Sequence, residues 1–236
     1  MRLDKALTLT GITRSQARKA ISQGRALVNG AVMRDISADV DPACVVFDGK
    51  PLADAGDITL MLYKPAGMLT ATADRNAPTV LDLVPSDIKN RGFGPVGRLD
   101  KDVTGLVLLT TDGQLAHRLI SPKRGVEKVY IAQVEGEMDE AGLDIIRAGG
   151  VEFSDFISKP AGAEKLADGS VKLTLTEGKY HEVKRLCAKV GHPVIALKRI
   201  SIAGVELDPS LSEGQLRRVT PEEEARLYSV AGMEKK

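Results

Sequence analysis

The stretch from residue 97 to residue 110, Gly-Arg-Leu-Asp-Lys-Asp-Val-Thr-Gly-Leu-Val-Leu-Leu-Thr, constrains the fold most strongly. Its first half is a charged loop bounded by glycines, and its second half is an apolar run that predicts a buried strand over residues 106–110. Loops held by a rigid scaffold are where catalytic groups are often found. Asp100, in the middle of the loop, is therefore the first candidate catalytic residue. By context alone, an aspartate in such a loop more often accepts hydrogen bonds from nearby backbone amides.

Charge is distributed unevenly along the 236 residues, although the formal net charge is only +1. Residues 1–40 carry seven Lys or Arg against three Asp or Glu, and residues 179–199 carry six against one. Two basic patches on a nearly neutral protein indicate local contacts with phosphate rather than a polybasic tail.

The remaining composition argues against several classes of protein. The two cysteines and three histidines lack the spacing of a disulfide framework or a metal site. The N-terminus lacks the apolar core of a signal peptide, and no apolar run reaches the length of a membrane span. We therefore expect a cytoplasmic protein with no metal and no membrane association.

The first fifty residues have the pattern of a small separate module. Thr13 and Gln16 form a predicted capping box for a helix that ends at Gly24. Asn29-Gly30 predicts a hairpin turn after a short strand. The small, polar stretch 53–57 is the best candidate linker. We predict one domain over residues 1–56, linker included, and a second over residues 57–232.

The second domain mixes strand and helix patterns. Strands are predicted over residues 58–63, 106–110, 128–134 and 171–176, and helices over residues 113–120, 140–147 and 181–190. Strands outnumber helices and several connections are short, which favours a mixed, mainly antiparallel sheet with helices packed on it. The predicted fold class is α+β.

Four stretches of the second domain resemble, in order, the bacterial pseudouridine synthases of the RsuA branch. They are Tyr-Lys-Pro-Ala-Gly at 63–67, the 97–113 segment, Glu-Lys-Val-Tyr at 127–130 and Glu-Gly-Lys-Tyr-His-Glu-Val-Lys-Arg at 177–185. Residues 1–52 resemble the RNA-binding S4 domain. The resemblance implies an S4-like domain followed by a pseudouridine synthase domain, that is, a ribosomal RNA pseudouridine synthase.

The resemblance also implies roles for individual residues. In this family, the Asp of Gly-Arg-Leu-Asp is indispensable, which points to Asp100, and the reaction needs no cofactor. Tyr130 would lie against the target base, and Lys184 would be the basic partner of the catalytic carboxylate. Lys184 also flanks the apolar stripe of its predicted helix, from where it can lean into a cleft. Asp102 is expected to be solvated, because the family motif requires only the first Asp.

Basic residues in both domains are candidate RNA contacts. Arg14 and Arg18 are four residues apart on one helix face and could bind successive phosphates, although a basic helix face is more often simply solvated. Tyr180 and His181 are expected to shape the rim of the site. The full set of predicted RNA-binding residues is Arg14, Arg18, Lys19, Arg25, Arg98 and Arg185.

The resemblance favours a uridine in small-subunit (16S) ribosomal RNA as the target, within an assembling small subunit, and a monomeric enzyme. Two alternatives remain at this point: a synthase acting on 23S ribosomal RNA, and a non-catalytic RNA-binding assembly factor that has kept the fold. A nucleoside hydrolase is disfavoured by the basic N-terminal module and by the single carboxylate in the motif. Because uridine must leave its stack to expose the glycosidic bond, base flipping is implied.

Overall fold

The computed structural model describes residues 1–52, 56–89 and 91–234. Contacts divide the chain into two compact units, one comprising Met1–Ile58 and Val84–Gly94, the other comprising Thr59–Leu83 and the chain from Pro95 onward. Most of the predicted linker, residues 53–55, lies outside the described residues. The domain boundary after residue 56 stays a prediction, and it did not anticipate that residues 84–94 group with the N-terminal unit.

The first unit contains three short helices and a small antiparallel sheet, whose strands lie in the order Ala31–Val32, Ala26–Val28, Val45–Phe47 and Lys50–Pro51. The turn at Asn29-Gly30 has positive φ at both residues, 52° and 80°, which is the geometry of a tight hairpin turn. The predicted capping box of Thr13 and Gln16 is present. The elements are α1 (Leu3–Thr8), α2 (Arg14–Ser22), β1 (Ala26–Val28), β2 (Ala31–Val32), β3 (Val45–Phe47), β4 (Lys50–Pro51) and α3 (Ser86–Lys89).

A buried carboxylate organises the basic residues of this unit. Asp4 is fully buried and accepts hydrogen bonds from Arg14, Arg2 and Arg18, with N–O distances of 3.0 to 3.4 Å. The hydrogen bond from Arg14 contributes most to a pKa of Asp4 well below its usual range. The side chains of Arg14 and Arg18 nevertheless remain 55% and 54% exposed. Both guanidinium groups are therefore held by Asp4 and still accessible to solvent.

The second unit contains most of the chain's strands and helices, and β6 (Gly94–Pro95) lies where one unit passes to the other. Its strands are β5 (Thr59–Lys64), β7 (Thr104–Thr110), β8 (Lys128–Val134), β9 (Gly162–Lys165), β10 (Val171–Leu175), β11 (Val194–Ile202), β12 (Val205–Glu206) and β13 (Leu216–Arg218). Its helices are α4 (Gly113–Ile120), α5 (Glu140–Ala148), α6 (Glu182–Lys189) and α7 (Pro221–Val230).

The main sheet has the strand order β13-β5-β7-β11-β8-β10-β9, and β12 pairs with β11. Its pairs are antiparallel except β7 with β11, which is parallel, so the predicted mixed, mainly antiparallel sheet is confirmed. Apolar side chains of α4 and α7 pack in one core with residues of β5, β7 and β11, among them Met61, Leu106 and Ile202. No helix within the described ranges is long and apolar enough to span a membrane.

Candidate active site

The loop that carries Asp100 is held in place mainly by hydrogen bonds to its backbone groups. Lys64, at the end of β5, is fully buried, and its ammonium donates to the carbonyls of Pro65, Lys101 and Val103 at 3.0, 3.2 and 2.7 Å. Burial lowers the pKa of Lys64 to about 8, against the opposing charges of Asp102 and Asp100. One side chain thereby fixes the backbone on the C-terminal side of Asp100.

The N-terminal side of the loop has its own anchor. The Thr70 hydroxyl donates to the carbonyl of Leu99 at 2.9 Å and accepts from the Leu99 amide at 3.2 Å. At the far end, Gly105 has a φ of 106°, and a Cβ there would lie 2.2 Å from the carbonyl oxygen of Arg199. Only glycine permits the loop to enter β7 this close to β11.

Helix α6 and the residue that precedes it bring two nitrogen-bearing side chains to Asp100. The ammonium of Lys184 lies 3.5 Å from Oδ2 of Asp100, and Nε2 of His181 lies 3.4 Å from Oδ1. The Asp100 side chain is 30% exposed. His181 precedes the helix with a left-handed φ of 52° and stacks on Tyr180, with ring centroids 3.7 Å apart. The expected proximity of Lys184 and Asp100 is therefore present, whereas His181 lies nearer the carboxylate than a rim role implies.

Asp102 corrects one expectation. Its side chain is 73% exposed, as expected for a solvated residue, but both its oxygens accept from the Lys184 ammonium at 2.7 and 2.8 Å. This hydrogen bond lowers the pKa of Asp102. Lys184 thus joins two carboxylates and lies closer to Asp102 than to Asp100. Asp102 is a partner of the basic residue and not merely a solvated side chain.

Asp100 opens onto a cavity of about 700 Å³, within the usual range for small-ligand pockets. Tyr130 on β8 lines this cavity and a smaller one beside it, as do Asp100 and His181. Tyr130 is half-buried, so part of its side chain remains accessible in the cavity wall. The three predicted catalytic residues, Asp100, Tyr130 and Lys184, all line the smaller cavity.

The two predicted RNA-binding arginines of this unit differ in their surroundings. Arg98 is exposed and lines both cavities. Arg185 does not extend freely into solvent: it pairs with Asp155 at 3.1 Å and lies over the rings of Phe153 and Phe156. In the first unit, Arg25 forms an ion pair with Asp48, and Lys19 is exposed. The RNA-binding assignments remain predictions.

The sequence reasoning missed two buried groups beside the site. Glu177 and Glu182 hydrogen-bond each other through their side chains and accept from the backbone amides of Lys159 and Lys179 at 2.9 and 2.8 Å, respectively. Burial is the main cause that raises the pKa of Glu182 to about 7. This carboxyl pair closes the loop that presents Tyr180 and His181. Both glutamates lie in the 177–185 motif, but only the structure shows that they face each other.

The second missed group is a pair of buried cations, Lys128 and Arg199, which line the larger cavity. Lys128 belongs to the quoted Glu-Lys-Val-Tyr motif, whereas Arg199 lies on β11, a strand that was not predicted.

Comparisons with known proteins agree with this geometry. The family model for RNA pseudouridylate synthase matches residues 58–189, and the model for the S4 domain matches residues 1–46. An uncharacterised RNA pseudouridine synthase of Bacillus subtilis (strain 168) is 40% identical over 231 residues, which cover 94% of this chain and 96% of that protein. Ribosomal small subunit pseudouridine synthase A of Escherichia coli (strain K12) is 38% identical over 227 residues, with coverage of 94% and 98%.

A solved structure supports the same assignment. The crystal structure of a pseudouridylate synthase, 37% identical in sequence, superposes with a TM-score of 0.69 over 96% of this chain and 99% of that one. Family models, relatives and structure agree in both parts of the chain. The chain therefore belongs to the RNA pseudouridylate synthase family, in its RsuA-type branch, and is an isomerase with an S4 domain at its N-terminus.

Proposed function

We propose that this enzyme converts a uridine of small-subunit (16S) ribosomal RNA to pseudouridine, with Asp100 as the catalytic carboxylate. The observation that carries the proposal is the position of Asp100 in the wall of a nucleotide-sized cavity, beside Lys184 at 3.5 Å and with Tyr130 in the same wall. The choice of RNA rests on relatives named as small-subunit synthases, such as that of Pasteurella multocida (strain Pm70), 40% identical to this chain.

The reaction breaks the bond between N1 of uracil and C1′ of ribose, and it forms a bond between C5 and C1′. C5 loses a proton and N1 gains one, so nothing is oxidised and no group leaves the RNA. The Asp100 carboxylate faces C1′, where it attacks or stabilises the positive charge that develops as the base departs. Lys184 places a positive charge next to Asp100, and Tyr130 holds the ring of the flipped base.

The S4 domain would hold the ribosomal RNA while the target uridine enters the cavity. Arg14 and Arg18 present half-exposed guanidinium groups on one face, and Lys19 adds an exposed ammonium. Such groups contact phosphates and supply affinity with little dependence on sequence.

The target is tested by mapping pseudouridine in ribosomal RNA from cells with and without the gene, followed by treatment of the unmodified RNA with purified protein. We expect one 16S position to lose pseudouridine in the deletion strain and to regain it in vitro. Assays on naked 16S RNA and on partly assembled small subunits show which form is the substrate. Loss of pseudouridine at a 23S position instead would show that the target lies in the large subunit. Unchanged pseudouridine in both RNAs would refute the proposed function.

A further inference from the structure

Arg199 is a buried cation with an unused hydrogen-bond donor. Its side chain is 1% exposed, and its Nε donates to the carbonyl of Leu106 at 2.8 Å. Its buried Nη2 has no hydrogen-bond acceptor among the described residues. A buried N–H without an acceptor costs stability, and more so when it belongs to a charged group. Because Arg199 lines the larger cavity, a molecule bound there is the candidate source of that acceptor.

Register places Arg199 next to the base-binding wall. On the paired strands β11 and β8, Arg199 is directly opposite Tyr130, and Lys128 precedes Tyr130 by two residues. Residues opposite each other on paired strands, and residues two apart on one strand, share a face of the sheet. All three residues line the larger cavity together with Asp100.

Lys128 adds a second positive charge. It is 8% exposed, and its ammonium donates to the carbonyl of Val126 at 2.8 Å. Burial, followed by repulsion from Arg199, lowers its pKa, while the charge of Glu182 acts in the opposite direction. Within the described part of the chain, neither cation forms an ion pair. The nearby carboxylates are engaged elsewhere: Glu177 with Glu182, and Asp100 with Lys184 and His181.

We propose that Arg199, assisted by Lys128, binds a carbonyl oxygen of the uracil ring of the flipped uridine and stabilises the negative charge that this ring carries after it separates from ribose. The inference rests on the proposed function. A phosphate is the other anionic group that RNA offers, but it lies on a solvated backbone. Side chains 1% and 8% exposed in a cavity wall suit the inserted base better.

The negative charge that develops on the departing base supports this role. When the N1–C1′ bond breaks towards the base, its electron pair stays on uracil and is shared by N1, C5 and the two carbonyl oxygens. Preorganised cations aimed at such a developing charge stabilise it strongly in a site that excludes water. Arg199 keeps its protons throughout. The ring becomes neutral when C5 uses this electron pair to bond to C1′. C5 then releases its proton and N1 gains one, so the ring stays neutral.

The test uses the RNA fragment in which mapping finds the modified uridine, whichever ribosomal RNA contains it. Arg199→Met should lower the single-turnover rate at saturating RNA by about 10²-fold, with RNA affinity and its salt dependence little changed. The matched variant Arg98→Met removes an exposed arginine from the same cavity wall and should act mainly on affinity. If Arg199→Met instead weakens binding, makes the salt slope shallower by about 0.7 to 0.9 and spares the rate, Arg199 contacts phosphate and the proposal is wrong.

A second measurement distinguishes recognition of the base by Arg199 from a structural role of this residue. It needs only the conservative variant Arg199→Lys. The fragment is synthesised with uridine, 2-thiouridine or 4-thiouridine at the target, because sulfur accepts hydrogen bonds more weakly than oxygen. In the wild-type protein, one of the two thio fragments should react at a rate different from that of the uridine fragment. In Arg199→Lys, the ratio of the rate with that thio fragment to the rate with the uridine fragment should move towards one. Ratios that are the same in both proteins for both thio fragments would overturn the proposal. Failure of the proposed function would appear differently, as full activity of Asp100→Asn.

Discussion

The ammonium of Lys184 lies 2.7 Å from Oδ2 of Asp102 and 3.5 Å from Oδ2 of Asp100, so one lysine connects the two carboxylates of the active-site loop. Asp102 is 73% exposed, whereas Asp100 is 30% exposed and faces the cavity. The exposed carboxylate of Asp102 holds the lysine in place, and the less exposed carboxylate of Asp100 is stabilised by the positive charge of that lysine. The two aspartates therefore have different roles although they are two residues apart.

Lys184→Met should reduce turnover by about 10²-fold while RNA affinity stays near that of the wild type. Methionine keeps the apolar stem but removes the charge beside Asp100. Single-turnover rates at saturating RNA measure the effect, and Lys189→Met, on the exposed side of the same helix, should be nearly silent. If saturating RNA restores the full rate, Lys184 is a phosphate contact. The turnover of Asp102→Asn should lie between those of Lys184→Met and Lys189→Met, because this substitution releases Lys184 without removing it.

Lys64→Met should lower both stability and turnover. The substitution leaves three carbonyls around the loop without their donor, and two of them belong to Lys101 and Val103. We expect the free energy of unfolding to fall by about 2–4 kcal/mol, measured by denaturant titration. Turnover of the folded fraction should also fall, because the backbone after Asp100 is no longer fixed. A variant with reduced stability but wild-type turnover would show that Lys64 does not position Asp100.

The Glu177–Glu182 pair predicts a pH dependence of stability. The pKa of Glu182 is raised from 4.5 to about 7, mainly by burial, so the folded protein binds more protons than the unfolded chain between those values. The contribution of this group to stability is therefore largest below pH 4.5 and is lost as the pH rises through about 7. Glu182→Gln mimics the protonated form and should remove this part of the slope in denaturant titrations. The exposed Glu127→Gln should leave the slope unchanged. An unchanged slope in both variants would refute the raised pKa of Glu182.

Lys19→Gln should weaken RNA binding and make the plot of log affinity against log salt shallower by about 0.7 to 0.9. Lys19 is exposed on α2, next to Arg18. Its loss should leave the Asp4 cluster intact, so the thermal stability should not change. Arg14→Gln provides the contrast, since Arg14 makes the shortest hydrogen bond to Asp4, at 3.0 Å, and its removal should also lower stability. An unaltered salt slope for Lys19→Gln would exclude that ammonium from the RNA contact.

The elements that could be predicted from the sequence are those whose local hydrophobic or turn pattern matches the structure that they adopt. The strand at Lys128–Val134 and the helix at Gly113–Ile120 have the predicted bounds, and the hairpin at Asn29-Gly30 follows from its turn residues. The strand at Val194–Ile202 was missed because Lys198 and Arg199 interrupt its apolar sequence and two irregularities in its register break the alternation. Yet this strand lies between β7 and β8 in the main sheet.

The candidate site was predictable only in part, for a related reason. Asp100, Tyr130 and Lys184 stand in motifs that resemble a known family, and the structure places all three in one cavity wall. Residues whose importance depends on tertiary contacts carry no local signal. From the sequence alone, Arg199 is indistinguishable from a solvated arginine. Lys184 and Asp102, which form an ion pair, are 82 residues apart in the chain.

The most direct test of Asp100 as the catalytic carboxylate is the rate of pseudouridine formation by Asp100→Asn in a single turnover at saturating RNA. Asparagine is isosteric but lacks the negative charge and the nucleophilic carboxylate, so we expect no detectable product from a protein with wild-type RNA affinity and thermal stability. Product formation at a rate near that of the wild type would contradict the assignment of Asp100 as the catalytic carboxylate.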